Sequence, residues 1–456
     1  MSKIHFIGVG GIGMSALADI QIARGNDVTG SDLRPNDLTD DLSRKGAKIY
    51  EGHHSSNVSE DVDFVVKSTC IRDNNPEVKK AVDLGVRIIS RGEMLKVLMA
   101  ESPSSVAVTG THGKTTTSAL IAHIAEHSGK DPTVVVGGEI ESFGSNAKSG
   151  KSGMIVAEVD ESDGYFRNIR AKYAAVTNVE REHMEHYGSF ENLVDAYKEF
   201  IESIQEEGFF IFNGEDAILK GIAKDTRAKK ISFGIGGNFD VTCRNYDVKK
   251  SIGFELVVRG TNCGRVSSSL IGMYNLKNIL AATAVCIELG LDFCQIAEAV
   301  KSFRGVKRRF QTVGRVDGIE IIEDYAHHPT ELESIISAAK DYGEGRVVSI
   351  FQPHRHSRTH DLSQEFLGCF DKSDILVLTD VYSADEDPLQ GVGIRDIYEK
   401  IDKGKFDALN FLEKKDIPEY VADVVRKRDI VLVLGAGDIR EIAGSLVEEI
   451  KKKYSV

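Results

Sequence analysis

The chain is expected to be an α/β protein of three domains: two built on parallel sheets, flanking a central α/β domain that carries an antiparallel patch. Three observations predict this class. The 456 residues amount to roughly three times the ~150 residues of an average domain. Short β-rich runs alternate with helical patterns, which is the mark of βαβ units whose ligands sit at strand carboxyl ends. Two glycine-rich loops each follow a strand and open a helix, a placement that turns backbone N–H groups toward an anion.

In chain order, KIHFIGV (3–9), DVTGSD (27–32), DFVVKS (63–68) and VRIIS (86–90) read as strands, with helical stretches at 14–24 and 76–84. Pro and Ser near 100–105 mark a linker. A second series follows with SVAVTG (105–110), TVVVG (133–137), MIVAEV (154–159), AAVTNV (174–179) and FFIFN (209–213). From about 229 to 272 short alternating runs with Gly and Asn turns predict the antiparallel patch, and helices follow near 275–289 and 293–302. After the basic RGVKRRF (304–310), a third series contains IEIIED (319–324), RVVSIF (346–351), DILVLTD (374–380), DALNFL (407–412) and DIVLVLG (429–435). Domain boundaries are therefore expected near residues 102 and 306, giving 1–102, 103–306 and 307–456.

Composition narrows the function classes. Hydrophobic residues at 41%, charged residues at 28% and only 8 prolines exclude a disordered or collagen-like chain. No window approaches the ~18 consecutive apolar residues of a membrane span. The opening MSKIHFIGVGGIGMSALA reads as strand, turn and helix and not as an export signal, so a cytoplasmic protein is expected. Six cysteines form no C-x-x-C pair, which points to free thiols in a reducing compartment. A net charge of −13 repels nucleic acid and anionic membranes, so neither is an expected partner, and an anionic ligand needs local basic groups.

The first loop, Gly8-Val9-Gly10-Gly11-Ile12-Gly13, fits G-x-G-x-x-G, and Asp32 lies about twenty residues on at the end of the next strand. Such a loop lets the backbone approach a diphosphate, and the acid can accept from a ribose hydroxyl. Alone it points to a dinucleotide and leaves an NAD(P)-dependent dehydrogenase open. The second loop, Gly110-Thr111-His112-Gly113-Lys114-Thr115-Thr116, is a P-loop variant with Val108 in place of the first glycine. Its N–H groups would cradle ATP phosphates, Lys114 would reach their oxygens and Thr115 would bind Mg²⁺. The pair of loops suits an ATP-driven ligase acting on a nucleotide-linked substrate, because a dehydrogenase has no use for a P-loop. A nucleotide-sensing binding protein is the alternative outside enzymes.

Glu158, Asp160, Glu161 and Asp163, and then Asn178, Glu180 and His183, follow two apolar strands, where carboxylates can reach a metal. A solvated loop is the plainer reading of such a run. His354, His356 and His360 could be zinc ligands by type, but Arg355 and Arg358 beside them suggest an anion socket instead.

These residues carry a family resemblance. GVGGIGMSALA (8–18), STCIRDNNPE (68–77), GTHGKTTT (110–117), EVDESD (158–163), TNVEREHMEHY (177–187), NLKNILAA (275–282), GVKRRFQ (305–311), DYAHHPTE (324–331), FQPHRHSRT (351–359) and GAGDI (435–439) resemble the Mur ligases of peptidoglycan precursor synthesis. DYAHHPTE and FQPHRHSRT are most similar to the alanine-adding branch. The resemblance implies two Rossmann-like domains flanking a central P-loop ATPase-type domain. It implies ATP-dependent joining of L-alanine to the lactyl carboxylate of UDP-N-acetylmuramate through an acyl phosphate, with Mg²⁺; a related Mur-type ligase using a different amino acid or peptide is the alternative.

By the same resemblance, Gly10, Gly11 and Gly13, with Asp32, Ser68 and Thr69, would bind the UDP-sugar. Gly110 to Thr116 would bind ATP, Thr115, Glu158 and His183 the metal, and Asn275 and Asn278 would lie near the adenine. Arg309 and Asp324 would approach ATP, and Tyr325, His327, His354, Arg355 and Arg358 would surround L-alanine. Lys114, His327, Arg355 and Arg358 would be the catalytic set, with His327 as the candidate base. The chain departs from the family at Tyr274 (commonly His), at His356 (commonly Tyr) and at Ser383-Ala384-Asp385-Glu386.

Overall fold

The computed structural model describes residues 1–384, 386–387, 389 and 393–454. Among these residues the strands assemble into three sheets. The first contains β1 (Lys3–Ile7), β2 (Asp27–Asp32), β3 (Lys48–Glu51), β4 (Phe64–Lys67) and β5 (Arg87–Ser90). Their order is β3-β2-β1-β4-β5, and every neighbouring pair is parallel. The order reverses between β1 and β4, which opens a crevice beyond their carboxyl ends. β3 escapes the sequence pattern because KIYE is a short edge strand with no buried residue.

The second sheet contains β6 (Ser104–Thr109), β7 (Thr133–Ile140), β8 (Ser145–Lys148), β9 (Met154–Glu158), β10 (Tyr173–Val176), β11 (Phe209–Asn213), β12 (Lys229–Phe233), β13 (Val241–Asp247), β14 (Ile252–Val258) and β15 (Thr261–Ser268). Its order is β15-β14-β13-β12-β11-β10-β6-β9-β7-β8. β7, β9, β6, β10, β11, β12 and β13 pair in parallel along the sheet, and β8 is antiparallel to β7. The antiparallel patch expected from residue 229 therefore begins later, because β12 extends the parallel part. Within residues 229–272, β13, β14 and β15 are joined by connections too short for a crossover, which makes them antiparallel neighbours.

The third sheet contains β16 (Gln311–Val316), β17 (Ile319–Asp324), β18 (Val347–Phe351), β19 (Ile375–Leu378), β20 (Ala408–Phe411) and β21 (Ile430–Leu434), in the order β16-β17-β21-β18-β19-β20. All neighbours are parallel except β16, an antiparallel edge strand beside β17. The chain forms two compact units. One comprises Met1–Arg244, Glu255–Val266 and Lys277–Gly305; the other comprises Asn245–Phe254, Ser267–Leu276 and Val306–Val456. No helix among the described residues is long and apolar enough to cross a membrane.

The unbroken apolar run of β21, IVLVL, follows from burial on both faces. Ile430, Leu432 and Leu434 pack with Phe351, Ile336 and Leu376 on one side. Val431 and Val433 pack with Ile417, Val421 and Leu446 on the other. Helices thus cover both faces and leave the strand ends as the free polar surface. Leu432 has no exposed surface, so Leu432→Ala is expected to cost about 2–5 kcal/mol. Chemical denaturation is the check, and a loss below about 1 kcal/mol would mean that this face repacks.

Candidate active site

In the first unit the glycine loop after β1 is fixed by groups at the end of β2. Gly8 and Val9 N–H donate to the Ser31 carbonyl at 2.8 and 3.0 Å, and Gly10 N–H donates to Asp32 Oδ2 at 2.9 Å. Asn36 Nδ2 donates to the Gly10 carbonyl at 3.1 Å. Asp32 thus holds the loop itself, which is a task beyond the ribose contact expected of it. A side chain at Gly10 would meet the Asp32 carboxylate, and one at Gly13 would meet Arg91. Gly11 is the N-cap of the helix Ile12–Ala23. Ser68 lies against Gly8 and donates its N–H to the Ile7 carbonyl, while Thr69 is exposed on the next turn.

The second loop follows β6 and opens the helix Lys114–His127, with Gly113 in the left-handed region at φ 80° as its N-cap. A side chain at Gly113 would collide with Asn278 Oδ1, and one at Gly110 with Thr177 Oγ1. Residues after β10 clamp the loop. His112 N–H donates to Asn178 Oδ1 at 2.8 Å, and Thr177 Oγ1 and Asn178 Nδ2 donate to the His112 carbonyl at 2.6 and 3.0 Å. Glu180 N–H donates to Thr111 Oγ1 at 2.8 Å, and Thr117 Oγ1 donates to Asn278 Oδ1 at 3.3 Å. Thr116 is buried in the first turn of the helix.

Lys114 Nζ donates to the Gly110 and Thr111 carbonyls at 2.6 and 3.1 Å and to Glu161 Oε1 at 2.9 Å. Burial works to lower the Lys114 ammonium, but Glu161, Asp160 and Glu158 outweigh it and raise its pKa, so the cation is kept. Glu158 turns the other way: it accepts from Thr115 Oγ1 at 3.1 Å and from Gly137 N–H at 2.7 Å. Burial also opposes ionisation of Asp160, yet Arg91 and Lys114 bring its carboxyl down to about 2. Arg91 Nη2 donates to Asp160 Oδ2 at 3.2 Å, so its guanidinium lies beside both Gly13 and the acidic loop.

Asp160, Glu161 and His183 offer three ligand atoms within 4.8 Å of one another. His183 sits at φ 59° on the turn before Met184–Tyr187, and burial lowers its pKa less than Glu185 and Glu161 raise it. Glu161 Oε2 is buried with no hydrogen-bond partner. A buried carboxylate oxygen left unsatisfied among oxygen and imidazole donors fits a divalent cation.

In the second unit the polar groups stand after β17 and β18. Asp324 is buried and accepts from Phe310 N–H and Ala326 N–H, both at 2.7 Å. Burial pushes its carboxyl up to about 6, against the opposing pull of Arg309 and these two N–H groups. Arg308 and Arg309 lie over the Tyr325 ring at 4.8 and 5.2 Å. His327 Nδ1 is 3.0 Å from the Tyr325 carbonyl, which can only accept, so this nitrogen carries a proton. The His327 and His354 rings meet edge-on at 6.0 Å, and His354 stacks on Tyr382. Arg358 Nη1 donates to the His354 carbonyl at 3.0 Å, and Arg355, at φ 72°, faces Glu386 at 3.6 Å.

The sequence-predicted residues thus gather into a cradle around Lys114 in one unit and a His/Arg cluster around Tyr325 in the other. Asn275 donates to the Ile271 carbonyl, and Tyr274 packs against Gly272 with burial raising its hydroxyl pKa. His356 and His360 lie on the short helix His356–Asp361, and among the described residues they form no three-ligand group with His354. Of the Ser383-Ala384-Asp385-Glu386 stretch, Asp385 lies outside the described residues; Glu386 accepts from Ser357 Oγ at 2.8 Å. Glu161, one of the acids expected to reach a metal, is the partner of Lys114, which nothing in a run of four acids singles out. Arg91 lies outside every sequence-predicted site, because it stands far from both loops in sequence.

Comparison with known proteins gives the family. Residues 3–103 match the profile described as Mur ligase family, catalytic domain; residues 108–286 match Mur ligase middle domain; residues 308–437 match Mur ligase, glutamate ligase domain. A UDP-N-acetylmuramate–L-alanine ligase of Desulforamulus reducens is 39% identical over 455 residues, covering 99% of this chain and 98% of its own. That of Geobacter sulfurreducens is 41% identical over 443 residues, covering 96% of each. The crystal structure of UDP-N-acetylmuramate-alanine ligase from Thermotoga maritima superposes with a TM-score of 0.83 at 31% identity, covering 99% of this chain and 100% of that one. With both glycine loops in place, and full-length likeness to these enzymes, the chain belongs to the Mur ligase family.

Proposed function

We propose that the protein is an ATP-dependent ligase that joins L-alanine to the lactyl carboxylate of UDP-N-acetylmuramate in peptidoglycan precursor synthesis, in the cytoplasm. The observation that carries the reading is Lys114, a cation held charged between the Gly110 and Thr111 carbonyls and the Glu161 carboxylate at the start of a helix. Full-length likeness to alanine-adding ligases supports the choice of substrates. Domains with boundaries near residues 102 and 306 would divide the work.

ATP is a substrate in this reading: the lactyl carboxylate displaces ADP from the γ-phosphorus, and the alanine amine then displaces phosphate from the acyl carbon. Gly10, Gly11 and Gly13 bind the diphosphate of the UDP-sugar, with Asp32, Ser68 and Thr69 alongside. Gly110–Thr116 hold the ATP phosphates, and Lys114 neutralises charge as it moves to the leaving group. Asn275, Asn278, Arg309 and Asp324 complete the nucleotide contacts. Asp160, Glu161 and His183 would hold a divalent cation such as Mg²⁺, with Thr115 and Glu158 beside them as the other expected ligands, and the cation would supply further charge neutralisation. Arg355 and Arg358 orient the alanine carboxylate beside Tyr325 and His354, and His327 Nε2 accepts the amine proton.

Phosphate release from ATP and Mg²⁺ is the direct test. It should require both UDP-N-acetylmuramate and L-alanine and yield a product heavier by one alanyl residue; release with another amino acid in place of L-alanine would sink the substrate assignment. Lys114→Ala is expected to reduce turnover by at least about 10³-fold. The same variant should keep the thermal shift given by the UDP-sugar, and equal loss of both would break the separation of the two loops.

Asp324 gives a stability signature. A carboxyl at about 6 in the folded chain and 3.8 in the unfolded one binds its proton more tightly when folded. Its contribution is therefore present at low pH and lost as pH rises from about 4 to about 6. The stability advantage of wild type over Asp324→Asn should shrink by up to about 3 kcal/mol across that window. Denaturation at several pH values reads it, and a constant difference would show that Asp324 ionises normally.

A further inference from the structure

Below the first glycine loop lies a carboxylate with no exposed surface, Glu77, in the first turn of the helix Pro76–Asp83. The helix starts there because Asn75 caps it and Pro76 takes the first position. Glu77 Oε2 accepts from Ser31 Oγ at 2.5 Å and faces His5 Nε2 at 3.3 Å. Oε1 accepts from Asn57 Nδ2 at 2.6 Å and from His54 N–H at 3.2 Å. Groups from β1, from the end of β2 and from the segment after β3 thus converge on one carboxylate carried by a later helix. A buried carboxylate needs this many donors, and each donor is in turn fixed by it.

Ser31 makes the arrangement more than a core network. Its side chain is bound to Glu77, while its carbonyl accepts from both Gly8 and Val9 N–H. The next residue, Asp32, accepts from Gly10 N–H. The position of the glycine loop is therefore set from underneath, by a chain of contacts that runs from Glu77 through Ser31 to the loop backbone.

We propose that Glu77 is a positioning residue for the UDP-sugar, fixing the glycine loop through Ser31. The inference rests on the reading that this loop holds the UDP diphosphate. Loss of Glu77 removes no contact to substrate, but lets Ser31 and the loop N–H groups shift from the line of the diphosphate oxygens. The effect falls on one substrate, because Lys114 and its clamp after β10 are built from other segments.

The test is calorimetric titration of UDP-N-acetylmuramate and, separately, of ATP with Mg²⁺ into wild type, Glu77→Gln and Ser31→Ala. Ser31→Ala breaks the link while leaving the buried carboxylate its other donors, so it serves if Glu77→Gln folds poorly. UDP-sugar binding is expected to weaken by about 10- to 100-fold in either variant, as for loss of a group supporting a binding shell. ATP binding should stay within about twofold of wild type, and KM for the UDP-sugar should rise more than kcat falls. Equal weakening of both ligands, or unchanged UDP-sugar binding in Ser31→Ala, would overturn the proposal. Absence of UDP-sugar binding to wild type would instead overturn the reading of the loop on which it rests.

Discussion

A parallel strand covered by helices on both faces has only its ends free for polar chemistry, and this constraint decides where everything else lies. β1, β6, β10, β17, β18 and β21 are buried along most of their lengths. The residues that follow them are the glycine loop after Ile7, the P-loop after Thr109, the clamp after Val176, Tyr325 and His327 after Asp324, and His354 after Phe351. N–H groups beyond the last ladder bond need partners, and a helix N-terminus adds its own free donors. The burial that stabilises the sheets therefore also collects the donors an anionic substrate requires.

Within a chain of net charge −13, such sites can be built only by pairing charges locally. Lys114 and Arg91 stand among Glu161, Asp160 and Asp163, each cation offset by a carboxylate. Partial burial makes these pairs stronger than surface ones, but it also makes an unpaired member costly. In the proposed function, an anion that takes up Lys114 would replace Glu161 as its partner, so binding would be an exchange of partners that does not strand the cation. The same logic keeps Asp160 ionised although it is desolvated.

Backbone strain also shapes the turns of the second unit. Arg308, Phe310 and Arg355 all have positive φ, at 62, 46 and 72°. Residues with side chains resist that region, at a cost of order 1–3 kcal/mol each. The Asp324 carboxylate offsets part of this by accepting from Phe310 N–H, and Arg308 is tied to Glu323 and to the Gly435 carbonyl. The turn that results stacks two guanidinium groups on Tyr325, which a regular strand or helix through KRRF could not do.

Much of this was legible in the sequence. IVLVL, VVSIF and SVAVT announce buried strands through their apolar runs, and G-x-G-x-x-G and G-K-T announce anion loops, because glycine and lysine at those spacings serve backbone approach and charge. Other features were not legible. β3 is too short and half-exposed to show a pattern, and β12 reads as part of a meander although it pairs in parallel. The sequence by itself determined most of the buried strands, where the two loops lie and the family they belong to, since these depend on short-range periodicity and residue type. Only the tertiary structure decided that Glu161 faces Lys114 while Glu158 faces Thr115, that Arg91 reaches the acidic loop, and that Glu77 lies beneath Ser31. The direction of a loop side chain depends on a few backbone angles, and those are fixed by packing against segments distant in the chain.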